Sequence, residues 1–307
     1  MKKFQIGGES MLKVNRLSKS FGKVHAVKDV SFHVKKGSTF AFLGTNGAGK
    51  STVIHMIINL LKPDYGDIIF TGGTLEEVTG IVFQTHRLDE ELTIEENLMT
   101  RAKLYGLSKK EALKRIDELL EVTHLLDKRK RQYGQCSGGE KRKTDIIRAL
   151  LHHPNFLILD EPTTGLDAES REEVWAFLRS IQIQRGLTIF LTTHYIDEAE
   201  YADDVLIMHD GQVEVEGTPH ELKSNYSKTT LLLYVENKDH IINWLNSRQY
   251  SFESTNNMIS ITLQKSKEAI PILYMAEEDI THFSIEEASL EQVFLQVTEQ
   301  IKRKARV

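Results

Sequence analysis

The chain has one cysteine, Cys136, in 307 residues. No disulfide can form within it, and a lone thiol suits a reducing compartment. No apolar run approaches the roughly 20 residues that span a bilayer. The start, MKKFQIGGES, carries two lysines with no apolar core behind them, so it does not read as a secretory signal. Residues 1–10 are expected to be an extension ahead of a natural beginning at Met11. An excess of positive charge is also missing: 39 basic against 44 acidic residues give −5, so no general attraction to nucleic acid is implied. Internal repeats and low-complexity tracts are absent. What is present is an ordinary composition, long enough for a substantial core and for two domains.

Short apolar runs mark strands at Ser31–Val34, Thr39–Leu43, Ile68–Phe70, Gly80–Phe83, Phe156–Asp160 and Leu187–His194. FLILD and LTIFLTTH are of the buried, parallel type. A helix is expected from Lys50 through Leu61 until Pro63 ends it, and another over Ala168–Gln184. From about Leu88 to Ala149 the pattern is helical. Thr93 with Glu96 and Ser108 with Glu111 have capping-box spacing, and Leu113, Ile116, Leu119, Leu120 and Val122 form a stripe. Strand, helix, strand in that order predicts an α/β fold with a parallel sheet and crossovers. Rising polarity near His220–Lys228 predicts a linker, at 223–230, followed by a small α+β domain over 231–307.

GTNGAGKST holds Gly44, Thr45, Asn46, Gly47, Ala48, Gly49, Lys50, Ser51 and Thr52 between a strand and a helix, which is the P-loop pattern. Its glycines let backbone N–H groups turn around phosphate, and the helix start adds a positive end. Lys50 is expected to reach β- and γ-phosphates, Ser51 to ligate Mg²⁺, and Thr52 to add a hydroxyl. FLILDE delivers Asp160 to the carboxyl end of a strand, where ligands sit in open sheets and where it would hold Mg²⁺. Glu161, one residue on, is placed to polarise an attacking water. His194 ends LTIFLTTH at the same edge and could donate to the γ-phosphate. Gln84, ending GIVFQ, offers an amide to Mg²⁺ and to water. A second anion-gripping element, YGQCSGGEKRK, places Ser137, Gly138 and Gly139 at a helix start.

GTNGAGKST, the VFQ glutamine, SGGE ahead of LILDEP, TTGLD and TTH occur in that order, and together they resemble the ATPase domain of ABC transporters. The resemblance covers about residues 12–222. It implies a RecA-like P-loop ATPase core with an antiparallel β subdomain and an inserted helical subdomain at about 88–149, inside an ATPase domain over 11–222. It implies ATP and Mg²⁺ as cofactors. It also implies that Ser137-Gly138-Gly139 grips the γ-phosphate of ATP on a second, identical or paralogous subunit, so two half-sites share each nucleotide. Phe21 matches the aromatic that stacks on adenine, while a strand-end core aromatic is the alternative. Asp167 matches the loop that couples the two sites and equally reads as an N-cap. The family commonly has Leu and Gln flanking SGG; here Cys136 and Glu140 stand there, Cys136 as a small packing residue and Glu140 as a carboxylate suited to a first helical turn.

SLEQVFLQVTEQ, residues Ser289–Gln300, resembles the C-terminal element of bacterial drug-resistance-type exporter ATPases. By its own pattern it is an amphipathic helix presenting Leu290, Val293, Phe294 and Val297, either closing the small domain or making a docking contact. The resulting expectation is the ATP-hydrolysing subunit of an exporter, docked on a separate integral membrane permease at the cytoplasmic face. The alternatives are an importer ATPase and a non-transport ABC ATPase.

Overall fold

The uniformly apolar runs become the inner strands of a parallel sheet. In the computed structural model, which describes residues 9–71 and 73–304, the chain divides between Glu216 and Gly217 into two units. The first runs β1 (Ser10–Phe21), β2 (Val24–Lys35), β3 (Thr39–Gly44), α1 (Lys50–Ile57), β4 (Tyr65–Phe70), α2 (Leu75–Val78), β5 (Thr79–Val82), α3 (Ile94–Leu104), α4 (Lys109–Val122) and α5 (Gly138–Leu150). It continues with β6 (Phe156–Asp160), α6 (Ala168–Arg185), β7 (Thr188–Thr193), α7 (Ile196–Ala199), β8 (Asp204–His209) and β9 (Gln212–Gly217). Of the expected extension, residues 1–8 lie outside the described residues, while Ser10 opens β1.

The main sheet has the order β5-β6-β7-β3-β8-β9, and the pairings from β5 through β8 are parallel. Every residue of β3, β6 and β7 is buried, as a sheet covered on both faces requires. β8 and β9 form a hairpin through Asp210 and Gly211, whose φ values of 45° and 81° suit a type I′ turn. A second, antiparallel sheet has the order β2-β1-β4. Aromatic stacking joins the two: Phe32 of β2 lies 5.3 Å from Phe40 of β3 and 5.9 Å from Phe190 of β7, between ring centroids.

Capping boxes open α3 at Thr93–Glu96, α4 at Ser108–Glu111 and α5 at Ser137–Glu140. Each satisfies two N–H groups that a helix start otherwise leaves unpaired. The helix expected to run to Leu61 stops at Ile57. Asn59 adopts a left-handed conformation (φ 59°), and the N–H groups of Leu60 and Leu61 both turn back onto the His55 carbonyl. Asparagine tolerates that conformation, so the helix closes before Pro63 can break it.

The second unit contains α8 (Pro219–Tyr226), β10 (Thr229–Val235), α9 (Asp239–Ser247), β11 (Ser251–Thr255), β12 (Met258–Leu263), α10 (Ala269–Met275), β13 (Ile280–Glu286) and α11 (Leu290–Lys304). Its antiparallel sheet has the order β11-β12-β10-β13. Leu231, Leu233, Ile259 and Ile261 point from that sheet into a core shared with Ile241 and Leu245 of α9 and Ile272 of α10. The stretch expected as a linker, 223–230, is instead the end of α8 and the start of β10. Thr218 and Glu221 close a capping box around Pro219 at the first turn, and that turns a polar run into a helix. In α11, Leu290, Val293 and Val297 are buried and Phe294 is half-buried.

Candidate active site

β3 runs straight into the glycine loop, and α1 leaves it. Gly47 and Gly49 have φ values of 83° and 104°, conformations that side-chain-bearing residues rarely adopt. A Cβ on Gly49 would stand 2.4 Å from the Ala26 carbonyl oxygen. The loop therefore closes only with glycine there, and it leaves the first N–H groups of α1 available to an anion. Lys50 is buried, and its Nζ donates to the Gly44 and Thr45 carbonyls at 2.7 and 3.1 Å. Burial lowers its pKa, partly offset by Glu161 and Asp160. Ser51 and Thr52 follow in the first turn of α1, and Thr45, Asn46 and Ala48 complete the loop.

The carboxyl ends of β6 and β7 bring the acidic groups to the same place. Asp160 is buried and accepts a 2.7 Å hydrogen bond from the Thr192 hydroxyl. Glu161 takes a left-handed backbone (φ 47°), an uncommon conformation for a side-chain-bearing residue and a form of strain that concentrates at functional sites. Its Oε2 accepts from Gln84 Nε2 at 3.1 Å and from the Thr164 hydroxyl at 3.1 Å. His194 Nδ1 lies 3.2 Å from the same oxygen, without hydrogen-bond alignment. Lys50 Nζ stands 3.9 Å from Glu161 Oε1. Residues from four separate stretches thus converge on one carboxylate. The cluster can hold phosphate with a cation and loop amides, and it can take a proton from water at Glu161.

Phe21 ends β1 with about half its surface exposed (51%), and the Lys19 ammonium lies 6.0 Å from its ring centre. An exposed ring of this kind is free to stack on a planar base, and it is not a core aromatic. Asp167 is the N-cap of α6 and accepts from Ser170 N–H at 2.8 Å.

Ser137, Gly138 and Gly139 stand elsewhere. Among the described residues no hydrogen bond or ion pair joins them to the loop at 44–52. Ser137 Oγ accepts from Glu140 N–H, and Glu140 Oε2 accepts from Ser137 N–H at 2.9 Å. Lys128 sits 2.8 Å from the other Glu140 oxygen, so the carboxylate at this helix start is compensated. A Cβ on Gly139 would meet Ser170 Oγ at 2.7 Å. Cys136 is buried next to it, and burial raises the thiol pKa, away from reactivity.

Three groups in or around the site went unnoticed in the sequence. Thr164 and Thr192 hold Glu161 and Asp160, and their signal was the paired threonines of PTTG and LTTH. Glu198, on α7, is buried and hydrogen-bonded to the Thr163 hydroxyl. Burial pushes its pKa up to about 7.

Residues 27–164 match the family model described as ABC transporter, and residues 217–298 match that described as ATP-binding protein DrrA1-3-like, C-terminal domain. The Nod factor export ATP-binding protein I of Rhizobium sp. (strain N33) is 39% identical over 67% of this chain and 70% of that protein. The linearmycin resistance ATP-binding protein of Bacillus subtilis (strain 168) is 39% identical over 72% of this chain and 74% of its own length. Among solved structures, cbiO1 from Clostridium perfringens, part of the ABC transporter complex cbiONQ, superposes with a TM-score of 0.66 at 31% identity, covering 78% of this chain and 95% of that one. An ATP-binding cassette solved as a dimer in a post-hydrolysis state with ADP and Pi gives a TM-score of 0.60 at 29% identity, over 68% and 98% of the two chains. The fold and the loop define a nucleotide-hydrolysing cassette. The chain belongs to the ABC-transporter family of ATP-binding proteins, in the branch that carries a DrrA-type C-terminal domain.

Proposed function

We propose that this chain hydrolyses ATP in a head-to-tail dimer and thereby energises export through a separate membrane permease. No helix among the described residues is long and apolar enough to cross a membrane. In this reading the chain works at the cytoplasmic face, docked on permease subunits by the surface around Gln84 and residues 88–97.

The observation that carries the reading is that, among the described residues, no hydrogen bond or ion pair joins the two phosphate-gripping devices. The loop at 44–52 shares its surroundings with Glu161, Gln84 and His194. Ser137 instead caps α5 and the two glycines open its first turn; the serine hydroxyl oxygen accepts from Glu140 N–H, so its own proton can go to an acceptor on bound nucleotide. A second subunit, identical or paralogous, brings that helix start to the γ-phosphate.

Each residue then has a part. Loop amides and Lys50 bind the β- and γ-phosphates, and Phe21 stacks on the base. Glu161 takes the proton of the attacking water, Gln84 and His194 orient that water and the γ-phosphate, and Asp167 couples the two sites across the dimer. Ser51, Gln84 and Asp160 are hard oxygen donors, with a single carboxylate among them. Among the described residues, no group of three or more His, Cys, Asp or Glu could hold a metal alone. That donor set fits Mg²⁺, which prefers to share its coordination with substrate phosphates. When bound, the ion neutralises charge on those phosphates.

The test is association. With Mg²⁺ and a non-hydrolysable ATP analogue, light scattering on the purified chain should show monomers converting to dimers. Strictly solitary molecules at every concentration would remove a site shared between two copies of this chain.

A further inference from the structure

The N-terminal half of α5 carries buried charge that the mechanism above does not use. Arg142 is 2% exposed. Its guanidinium makes no ion pair among the described residues; it spends two N–H donors on backbone, Nη1 on the Phe83 carbonyl at 2.8 Å and Nη2 on the Gln84 carbonyl at 2.7 Å. Arg148, further along the same helix, donates to the Ile81 carbonyl at 2.6 Å. Asp145, one turn after Arg142, accepts from the Tyr133 hydroxyl at 3.2 Å and lies 2.6 Å from His86 Nδ1. Every residue from Ile81 to His86 that these groups touch is therefore tied to α5, at the point where the chain leaves β5 and becomes a loop.

Burying a guanidinium is costly, and an apolar side chain would fill the space more cheaply. A guanidinium does what no apolar group can, because its planar fork fixes the direction of two successive carbonyls. Those carbonyls belong to Gln84 and its predecessor, so the fork holds the backbone from which the Gln84 side chain projects. A helix rises 1.5 Å per residue, which puts Arg148 about 9 Å along the axis from Arg142 and Ser137 about 7.5 Å from it in the opposite direction. Arg148 grips a strand of the sheet, Arg142 grips the loop, and Ser137 caps the N-terminal end of the same helix.

We propose that Arg142 is a positioning residue that makes the Gln84 loop and the Ser137-Gly138-Gly139 helix start one mechanical body. A shift of Gln84 at its own nucleotide then moves the helix start that meets the neighbour's nucleotide, and the reverse. The inference rests on the roles given to Gln84 and Ser137 under Proposed function and adds the physical link between them.

The test is a double-mutant cycle on full-length protein with Arg142→Lys and Gln84→Ala, reading kcat, the ATP KM and the Mg²⁺ concentration for half-maximal rate. Lysine keeps the charge and loses the fork. Arg142→Lys should keep its melting temperature close to that of the parent, leave the ATP KM within about twofold, lower kcat about tenfold or more and raise the Mg²⁺ requirement, because misplacing a catalytic group costs rate before binding. In the Gln84→Ala background the same change should lower kcat by less than about twofold, since it acts only through the missing amide. Additive losses in the double variant, or an Arg142→Lys enzyme with unchanged kcat and Mg²⁺ requirement, would overturn the strap while leaving Gln84 in its role. A Gln84→Ala enzyme with full kcat would overturn the role of Gln84, and the strap with it.

Discussion

Glu161→Gln is the substitution with the clearest physical consequence. It removes a formal charge and keeps the shape, and the amide oxygen can still accept from Gln84 and Thr164. The carboxylate faces the Lys50 ammonium at 3.9 Å, and both side chains are largely buried, 13% and 5% exposed. At an effective dielectric near 20 that pair is worth about 4 kcal/mol of gross Coulomb attraction, an upper bound before desolvation is subtracted. Two effects follow. An amide cannot take the proton of an attacking water, so hydrolysis should slow by about 10²–10⁴, which is about 3–5 kcal/mol of barrier. Lys50 is released from a competing anion, and an incoming γ-phosphate no longer meets a like charge. ATP affinity should therefore hold or rise, by up to about tenfold if 1.4 kcal/mol of the attraction was competing. Single-turnover hydrolysis gives the first quantity and equilibrium nucleotide binding the second, while gel filtration in ATP should show an accumulated dimer. Unchanged turnover would take Glu161 out of its role. Slow turnover with weakened ATP binding would refute the electrostatic argument.

Lys50→Ala leaves a loop of the right shape with no cation in it, so tight ATP binding should be lost while the fold persists; nucleotide titration followed by intrinsic fluorescence checks this, and retained affinity refutes the phosphate-binding role. Glu198 provides a pH test. Its ordinary value is 4.5 and burial raises it to about 7, so between those values the unfolded chain sheds a proton that the folded chain keeps. Stability should fall as pH rises through that window and level off above it. Glu198→Gln, which keeps the Thr163 hydrogen bond, should remove that part of the fall and be more stable than the parent at pH 8 by about 3 kcal/mol at most. Denaturant titrations at pH 5 and pH 8 measure it, and parallel pH profiles for the two proteins would refute it.

The phosphate loop and the acidic strand end were legible because their function forces their residues into sequence order: strand, glycines, lysine, helix, and later an apolar run ending in Asp-Glu. Capping boxes were legible for the same local reason, at Thr93 and Ser108. In the third, Ser137 with Glu140, the plainer sequence signal is a carboxylate near a helix dipole, and the reciprocal capping is seen only in the structure. The fourth, TPHE at Thr218–Glu221, lies in a polar run whose composition resembles a linker, although its capping box makes it a helix start. Groups that meet only through the fold gave no signal. Nothing near Arg142 in the chain points to carbonyls 58 and 59 positions away, and Glu198 finds its hydroxyl partner 35 positions back. The antiparallel β1 and β2 were also underread: SFHV marked four residues of a strand that runs for twelve, because half of its face is exposed and carries no apolar run.

Gly139 has an obligation inside its own subunit. Any larger residue there would press on Ser170, the residue that donates both its N–H and its hydroxyl to Asp167. Swapping in even a methyl group would therefore disturb the cap of a neighbouring helix before any nucleotide arrived. Loss of activity at this glycine cannot be credited to phosphate contact alone; part of the damage would be done at home, and it would show in the lone subunit as a displaced Asp167 loop.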